Sequence, residues 1–83
     1  MKVHLKYFAS VREAQGHSAE TFETSATSLS ALRDALIMRG GAGGEALARG
    51  RAVRVALNQV MSDESAVLTD GCEVAFFPPV TGG

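Results

Sequence analysis

Tryptophan is absent, tyrosine and cysteine occur once each, and the only two prolines stand side by side at Pro78-Pro79. The lone Cys72 excludes an internal disulfide and an iron–sulfur cluster held by four thiolates, and points to a reducing, cytoplasmic setting. Its place after a turn reads as a small partly buried hydrophobe, since no base or cation stands by to activate the thiol. Charge of one sign is also lacking. Eight basic residues oppose nine acidic ones, so no field gathers nucleic acid or an anionic membrane. No apolar run is long enough to cross a bilayer, and the alternating residues Met1 to Lys6 look like a strand and not a signal peptide. His4 and His17 have no cysteine or carboxylate at metal-ligand spacing, so no metal site is expected. Gly40-Gly41-Ala42-Gly43-Gly44 lacks the Gly-Lys-Ser/Thr ending of a phosphate loop. No Ser/His/Asp set or carboxylate pair supplies catalysis. The chain is not expected to be an enzyme on its own.

What is present is the pattern of a small folded domain. Hydrophobic residues make up 46% of the 83, enough for one core and too few for two, so residues 1–83 are read as one domain. Val3, Leu5 and Tyr7 alternate with Lys2, His4, Lys6 and Phe8, predicting a half-buried strand with Phe8 on its outer face. Ser10 to Gln15 reads as a short helical turn with Ser10 as N-cap and Gly16 as its stop. Ser18 to Thr24 predicts a second strand, antiparallel to the first across a tight connection. Leu29, Leu32 and Leu36, with Ala35, form the stripe of the main helix, begun by Ser28 and ended by Gly40. A flexible loop is expected over residues 40–44, then a short helical piece from Glu45 to Arg49. Val53, Val55 and Leu57 predict a strand, Asn58-Gln59 a turn, Val60-Met61 a short edge strand, and Thr69-Asp70-Gly71 a further turn. Glu73 to Phe77 is the last strand, stopped by prolines that cannot donate to a sheet. The order predicts an α+β domain, a mixed sheet of four or five strands on one main helix. By analogy this is the β-grasp, or ubiquitin-like, arrangement.

The final residues concentrate the chemistry. By composition a sequence closes on Gly-Gly in only about one chain in 200. Two residues without Cβ enter a channel too narrow for any other and leave the Gly83 carboxylate sterically open. Residues 78–83 are expected to form a flexible tail, stiffened at its base by Pro78-Pro79. Val80 to Gly83, if extended, reach roughly 13–14 Å beyond the body. Alternation places Val74 and Phe76 on one face of the last strand and Ala75 and Phe77 on the other. With Val74 and Phe76 in the core, Phe77 is exposed at the root of the tail. Together with Phe8 and Met61 it forms an apolar patch of the kind that marks a partner site.

The segments Leu5 to Glu13, Val55 to Gln59, Leu68 to Gly71 and, above all, Glu73 to Gly83 (EVAFFPPVTGG) resemble the small subunits of molybdopterin synthase. These are ubiquitin-like sulfur carriers. The resemblance spans nearly the whole chain and departs from the family pattern in residues 40–50 and at Cys72. It implies a carrier whose Gly83 is adenylated by a ubiquitin-activating-like adenylyltransferase that consumes ATP, then converted to a thiocarboxylate. The carrier itself binds no cofactor. The loaded tail then enters the large synthase subunit, in a heterotetramer, and gives sulfur to cyclic pyranopterin monophosphate to build the dithiolene. In this scheme Gly83 carries the reactive group and Gly82 permits close approach. Phe8, Met61 and Phe77 dock the body, and Pro78, Pro79, Val80 and Thr81 thread the tail. Two alternatives stay open. One is a sulfur carrier for thiazole synthesis or tRNA thiolation; the other is a protein modifier joined through Gly83 to lysines.

Overall fold

A computed structural model describes residues 1–79. The expectations placed on Val80, Thr81, Gly82 and Gly83 lie outside these residues. The chain forms β1 (Lys2–Tyr7), α1 (Ala9–Gln15), β2 (Ala19–Glu23), α2 (Leu29–Met38), α3 (Gly41–Ala46), β3 (Arg54–Leu57), β4 (Val60–Met61) and β5 (Glu73–Phe77). One five-stranded sheet runs in the order β2-β1-β5-β3-β4. The central pair, β1 and β5, is parallel, and every other pair is antiparallel. A parallel pair between the first and last strands requires a crossover, and α2 supplies it. This is the expected β-grasp architecture.

The alternation in β1 is exact: Val3, Leu5 and Tyr7 are buried while Lys2, His4 and Lys6 are exposed. The inward side chains meet Val74 and Phe76 of β5, Val55 of β3 and the Leu29-Leu32-Leu36 stripe of α2 in one core. Ser28 caps α2 as expected, its Oγ accepting from the Ala31 amide at 3.1 Å. Cys72 is buried in the same core, the small-hydrophobe role expected for it.

Three local expectations are corrected. The link between β1 and β2 is not tight, because residues 8–18 carry α1. Ser10 is not the cap of α1 but lies inside it; the N-cap is Phe8, with no side-chain hydrogen bond, and Gly16 closes the helix in the left-handed conformation at φ 84°. The glycine run is not a loop. Residues 41–46 are helical, earlier than the expected piece at 45–49. Glycine is a poor helix former in isolation, and tertiary packing overrides that here. A Cβ on Gly44 would lie 2.7 Å from the Ile37 carbonyl oxygen at the end of α2. Gln15 fills the space beside Gly43 and donates from Nε2 to its carbonyl at 3.0 Å. The glycines let α3 seat against both α1 and α2.

Candidate functional site

The sheet has one covered face and one open face. Outward residues of β1, β3 and β4, namely Lys2, His4, Lys6, Arg54 and Met61, are exposed. The register carries an apolar strip across the open face, with Ala75 opposite Ala56 and Ala56 opposite Met61, while Arg54 stands opposite Phe77. The alanines in the middle, Ala56 and Ala75, are themselves buried, at 8% and 7% exposed, so the exposed apolar surface on this face is contributed by Met61 and Phe8.

Phe8 is held there by its backbone. Its amide donates to the Phe76 carbonyl at 3.2 Å, and its carbonyl accepts from the amides of Val11 and Arg12 at 3.1 and 3.2 Å. The main chain is thereby fixed to β5 on one side and to α1 on the other. Ala9, at φ 50°, turns the chain sharply into α1, in a left-handed conformation that ordinary L-residues adopt at some cost. The Phe8 ring remains 48% exposed. It meets Phe77 edge-on, with centroids 6.3 Å apart and planes at 87°, the geometry favoured by opposed quadrupoles. Phe77 is half-buried and not fully exposed as expected, because this ring lies against it.

Met61 arrives by a different route. Asn58 and Gln59 both have positive φ, 50° and 70°, as a tight two-residue hairpin turn of the primed type requires. The Asn58 amide donates to the Glu73 carbonyl at 2.8 Å, and Asn58 Oδ1 accepts from the Glu73 amide at 2.9 Å. The turn is thus tied to the start of β5, and the Met61 side chain, 51% exposed, ends on the open face. The structure brings Phe8 and Phe77 into contact at the exit of β5 and sets Met61 further along the same face. Pro78 and Pro79, both half-buried, follow directly.

Sequence reasoning missed two polar centres. Glu20, on β2, accepts from Tyr7 Oη at 2.6 Å and from both terminal nitrogens of Arg39 at 2.9 and 3.0 Å, with His17 Nε2 at 3.0 Å. The Arg39 guanidinium also lies 5.1 Å from the Phe22 ring centroid, within cation–π range. The Arg39 pair, helped by the Tyr7 and His17 hydrogen bonds, holds the Glu20 carboxyl down at about 2, against an ordinary value of 4.5. Burial, and then the Glu20 carboxylate, push the Tyr7 phenol well up, so it stays a neutral donor. The folded state prefers ionised Glu20. Its stabilising effect is therefore complete above about pH 4.5 and is lost as pH falls toward about 2. Glu20→Gln is expected to lower the melting temperature near neutrality and to flatten its fall between those two limits. Parallel melting curves for wild type and variant across that range would refute the assignment.

The second centre is Arg33, 5% exposed inside α2. Nε donates to the Leu47 carbonyl at 2.6 Å, Nη2 to Ala48 and Arg51 at 2.8 and 3.1 Å, and Nη1 to Glu64 Oε2 at 2.7 Å. Arg49 joins Glu64 from outside, pairing also with Asp34 at 2.7 Å. A basic residue beside an apolar helical stripe reads as a solvated position, so no local signal marked Arg33. Neither centre includes Phe8 or Phe77 among its hydrogen-bonding partners.

The ThiS family profile matches residues 5–83. The chain belongs to the ThiS family. Two curated relatives are each named molybdopterin synthase sulfur carrier subunit. The one from Haemophilus influenzae is 36% identical over 81 residues and the one from Escherichia coli 38% identical over 81 residues. Each alignment covers 98% of this chain and 99% of the relative. Among solved structures, subunit 1 in a complex of subunits 1 and 2 of molybdopterin-converting factor from Helicobacter pylori superposes with a TM-score of 0.69. It is 26% identical, with both chains fully covered. The family resemblance read from the sequence is borne out.

Among the described residues no helix is long and apolar enough to cross a membrane.

Proposed function

We propose that this ThiS-family chain is the sulfur carrier subunit of a molybdopterin synthase, acting as a carrier and not as a catalyst by itself. The observation that carries the reading is its identity, over nearly its full length, to two relatives bearing that name. The open apolar face beside the exit of β5 supports it, because a carrier must dock its body while presenting its tail.

In the proposed cycle an activating adenylyltransferase uses ATP to convert the Gly83 carboxylate to an acyl adenylate, releasing pyrophosphate. This gives a poor electrophile a leaving group. A sulfur donor attacks the acyl carbon, AMP departs, and a thiocarboxylate remains. The body then docks on the large synthase subunit through Phe8, Phe77 and Met61, while Pro78 to Thr81 guide Gly82 and Gly83 into that subunit's active site. There sulfur passes to cyclic pyranopterin monophosphate, and two such transfers complete the dithiolene. The assembly expected is a heterotetramer of two carriers and two large subunits.

The deciding experiment is the intact mass of the chain after co-expression with its activating enzyme and sulfur source. One oxygen replaced by sulfur, located at Gly83 by fragmentation, is expected. An unmodified mass with active partners would overturn the carrier reading.

Phe77→Asp tests the docking face. A charge at the centre of an apolar contact removes a buried anchor, so affinity for the large subunit should fall by about thirtyfold or more, the effect of a typical hot spot. Phe77 is only half-buried, so the melting temperature should change far less. A variant that unfolds, or that binds as tightly as wild type, would contradict the assignment of this face.

A further inference from the structure

The eight basic residues of this nearly neutral chain divide between ion-paired and unpaired positions. Lys6, Arg33, Arg39 and Arg49 are engaged in ion pairs. Among the described residues, Lys2, Arg12, Arg51 and Arg54 make none, and all four are exposed. Of these, Arg51 and Arg54 lie close together where the chain enters β3. These two stand at the exit of β5. Arg54 is opposite Phe77 in the β3–β5 register, at the border of the open face. Arg51 lines a groove of about 310 Å³ between α1 and α3, whose wall also includes Pro78. One guanidinium therefore borders the docking face and the other borders the groove beside the first residue after β5.

Among the described residues, none of the acidic groups nearby forms an ion pair with them. Glu45 lines the same groove as Arg51 without forming an ion pair with it. Asp63 and Glu64 share a hollow with Arg54, but Asp63 accepts from the Ser65 amide and Glu64 is engaged by Arg33 and Arg49. The backbone at Arg51 is also fixed, its carbonyl held by the buried Arg33 and its amide donating to Ala48 at 2.8 Å. The position of Arg51 relative to the β5 exit is thus set before any partner arrives.

Protein interfaces combine an apolar centre with a polar rim, and arginine is enriched there because its planar fork grips a carboxylate with two hydrogen bonds. We propose that Arg51 and Arg54 form a cationic rim on the docking face and pair with carboxylates of the large synthase subunit at the mouth of the site that receives the tail. This inference rests on the carrier reading above. With a net charge of only −1, the whole chain provides little long-range attraction, so the cations at the docking face itself, Arg51 and Arg54, supply the local steering there. Rim charges act mainly on the association rate and its salt dependence, while the apolar centre sets how slowly the complex dissociates.

The test is stopped-flow association of the full chain with the purified large subunit, at salt concentrations from about 0.05 to 0.5 M, where screening changes most. Arg51→Gln/Arg54→Gln should lower the association rate at low salt by about tenfold and flatten its salt dependence. Dissociation should change little. Arg51→Lys/Arg54→Lys keeps the charges and should keep the salt dependence. Both side chains are exposed, and circular dichroism melts of each variant should match wild type. An association rate and salt dependence unchanged in the glutamine variant would overturn the rim. So would a loss seen only with the activating enzyme, which would assign the two arginines to that partner. A wild-type chain that fails to bind the large subunit would sink the carrier reading itself, whereas tight wild-type binding that is indifferent to these charges would sink the rim alone.

Discussion

Deleting Gly83, or adding one residue after it, is expected to abolish sulfur transfer and leave the folded body unchanged. The proposed chemistry takes place at one carbonyl carbon, and that carbon's position is set by chain length from the docked body. Removing a residue draws it back by about 3.3–3.6 Å, and a displacement of even about 1 Å at a reacting centre costs on the order of a hundredfold in rate. Extension buries the carbonyl in an ordinary peptide bond and adds bulk where Gly82 and Gly83 leave none. The core lies between Val3 and Phe76, so neither change touches it. Intact mass after co-expression with the activating enzyme reads thiocarboxylate formation. Turnover with the large subunit and pterin precursor reads transfer, and circular dichroism reads the fold. Undiminished transfer by either variant would show that the reactive group is elsewhere.

The largest effect on stability is expected at Arg33. Arg33→Met keeps much of the volume and removes every hydrogen bond of the guanidinium. The carbonyls of Leu47 and Arg51 and one oxygen of Glu64 lose their donor together, and the Ala48 carbonyl keeps only the Arg51 amide. Replacing both partners of a buried ion pair with apolar groups is often harmless. Here Glu64 keeps Arg49 as a partner and is partly exposed, so the cost comes from the carbonyls left without a donor, about 1–3 kcal/mol for each buried one. That is a large share of the roughly 5–15 kcal/mol that stabilises a typical domain. Arg33→Lys should recover little, because a single ammonium cannot span acceptors contributed by three backbone sites and a carboxylate. Urea denaturation of the three proteins provides the comparison. A methionine variant within about 1 kcal/mol of wild type would mean that water replaces the lost donor. The same variant loosens the backbone of Arg51, so its association with the large subunit should also slow.

The parts of this protein that were legible in its residues are those governed by period and by local turn chemistry. Alternation in Lys2 to Tyr7 identified both faces of β1, and the spacing of Leu29, Leu32 and Leu36 identified the buried stripe of α2. Asn58-Gln59 and Asp70-Gly71 marked turns, and both glycine stops, Gly16 and Gly40, adopt positive φ. The outer faces of β1 and β5 followed from the same alternation, so Phe8 and Phe77 could be assigned to one patch before their strands were known to be neighbours. The Gly83 carboxylate, with its proposed chemistry, was likewise read from the residues, through their resemblance to sulfur carriers.

Other features depend on neighbours distant in the chain. That Phe8 and Phe77 touch follows from the parallel register of β1 with β5, which joins residues separated by most of the sequence. Residues 41–46 are helical against their intrinsic propensity, packed on α1 and α2, where Gly44 approaches the Ile37 carbonyl too closely for any side chain. Glu20 and Arg33 look like ordinary surface charges in one dimension. Glu20 meets Tyr7, His17 and Arg39 from three other elements or loops, and Arg33 meets the segment 47–51 and Glu64. Pairing Arg51 with Arg54 beside the β5 exit also needed the antiparallel β3–β5 pairing and the groove against α3. The sequence alone therefore determined which faces are apolar and which end bears the proposed chemistry, because side-chain period and terminal composition are local properties. Only the tertiary structure decided which polar groups are paired, which glycines are required by packing and which cations stay free. Desolvation and hydrogen-bond satisfaction are settled by contacts that no window of sequence contains.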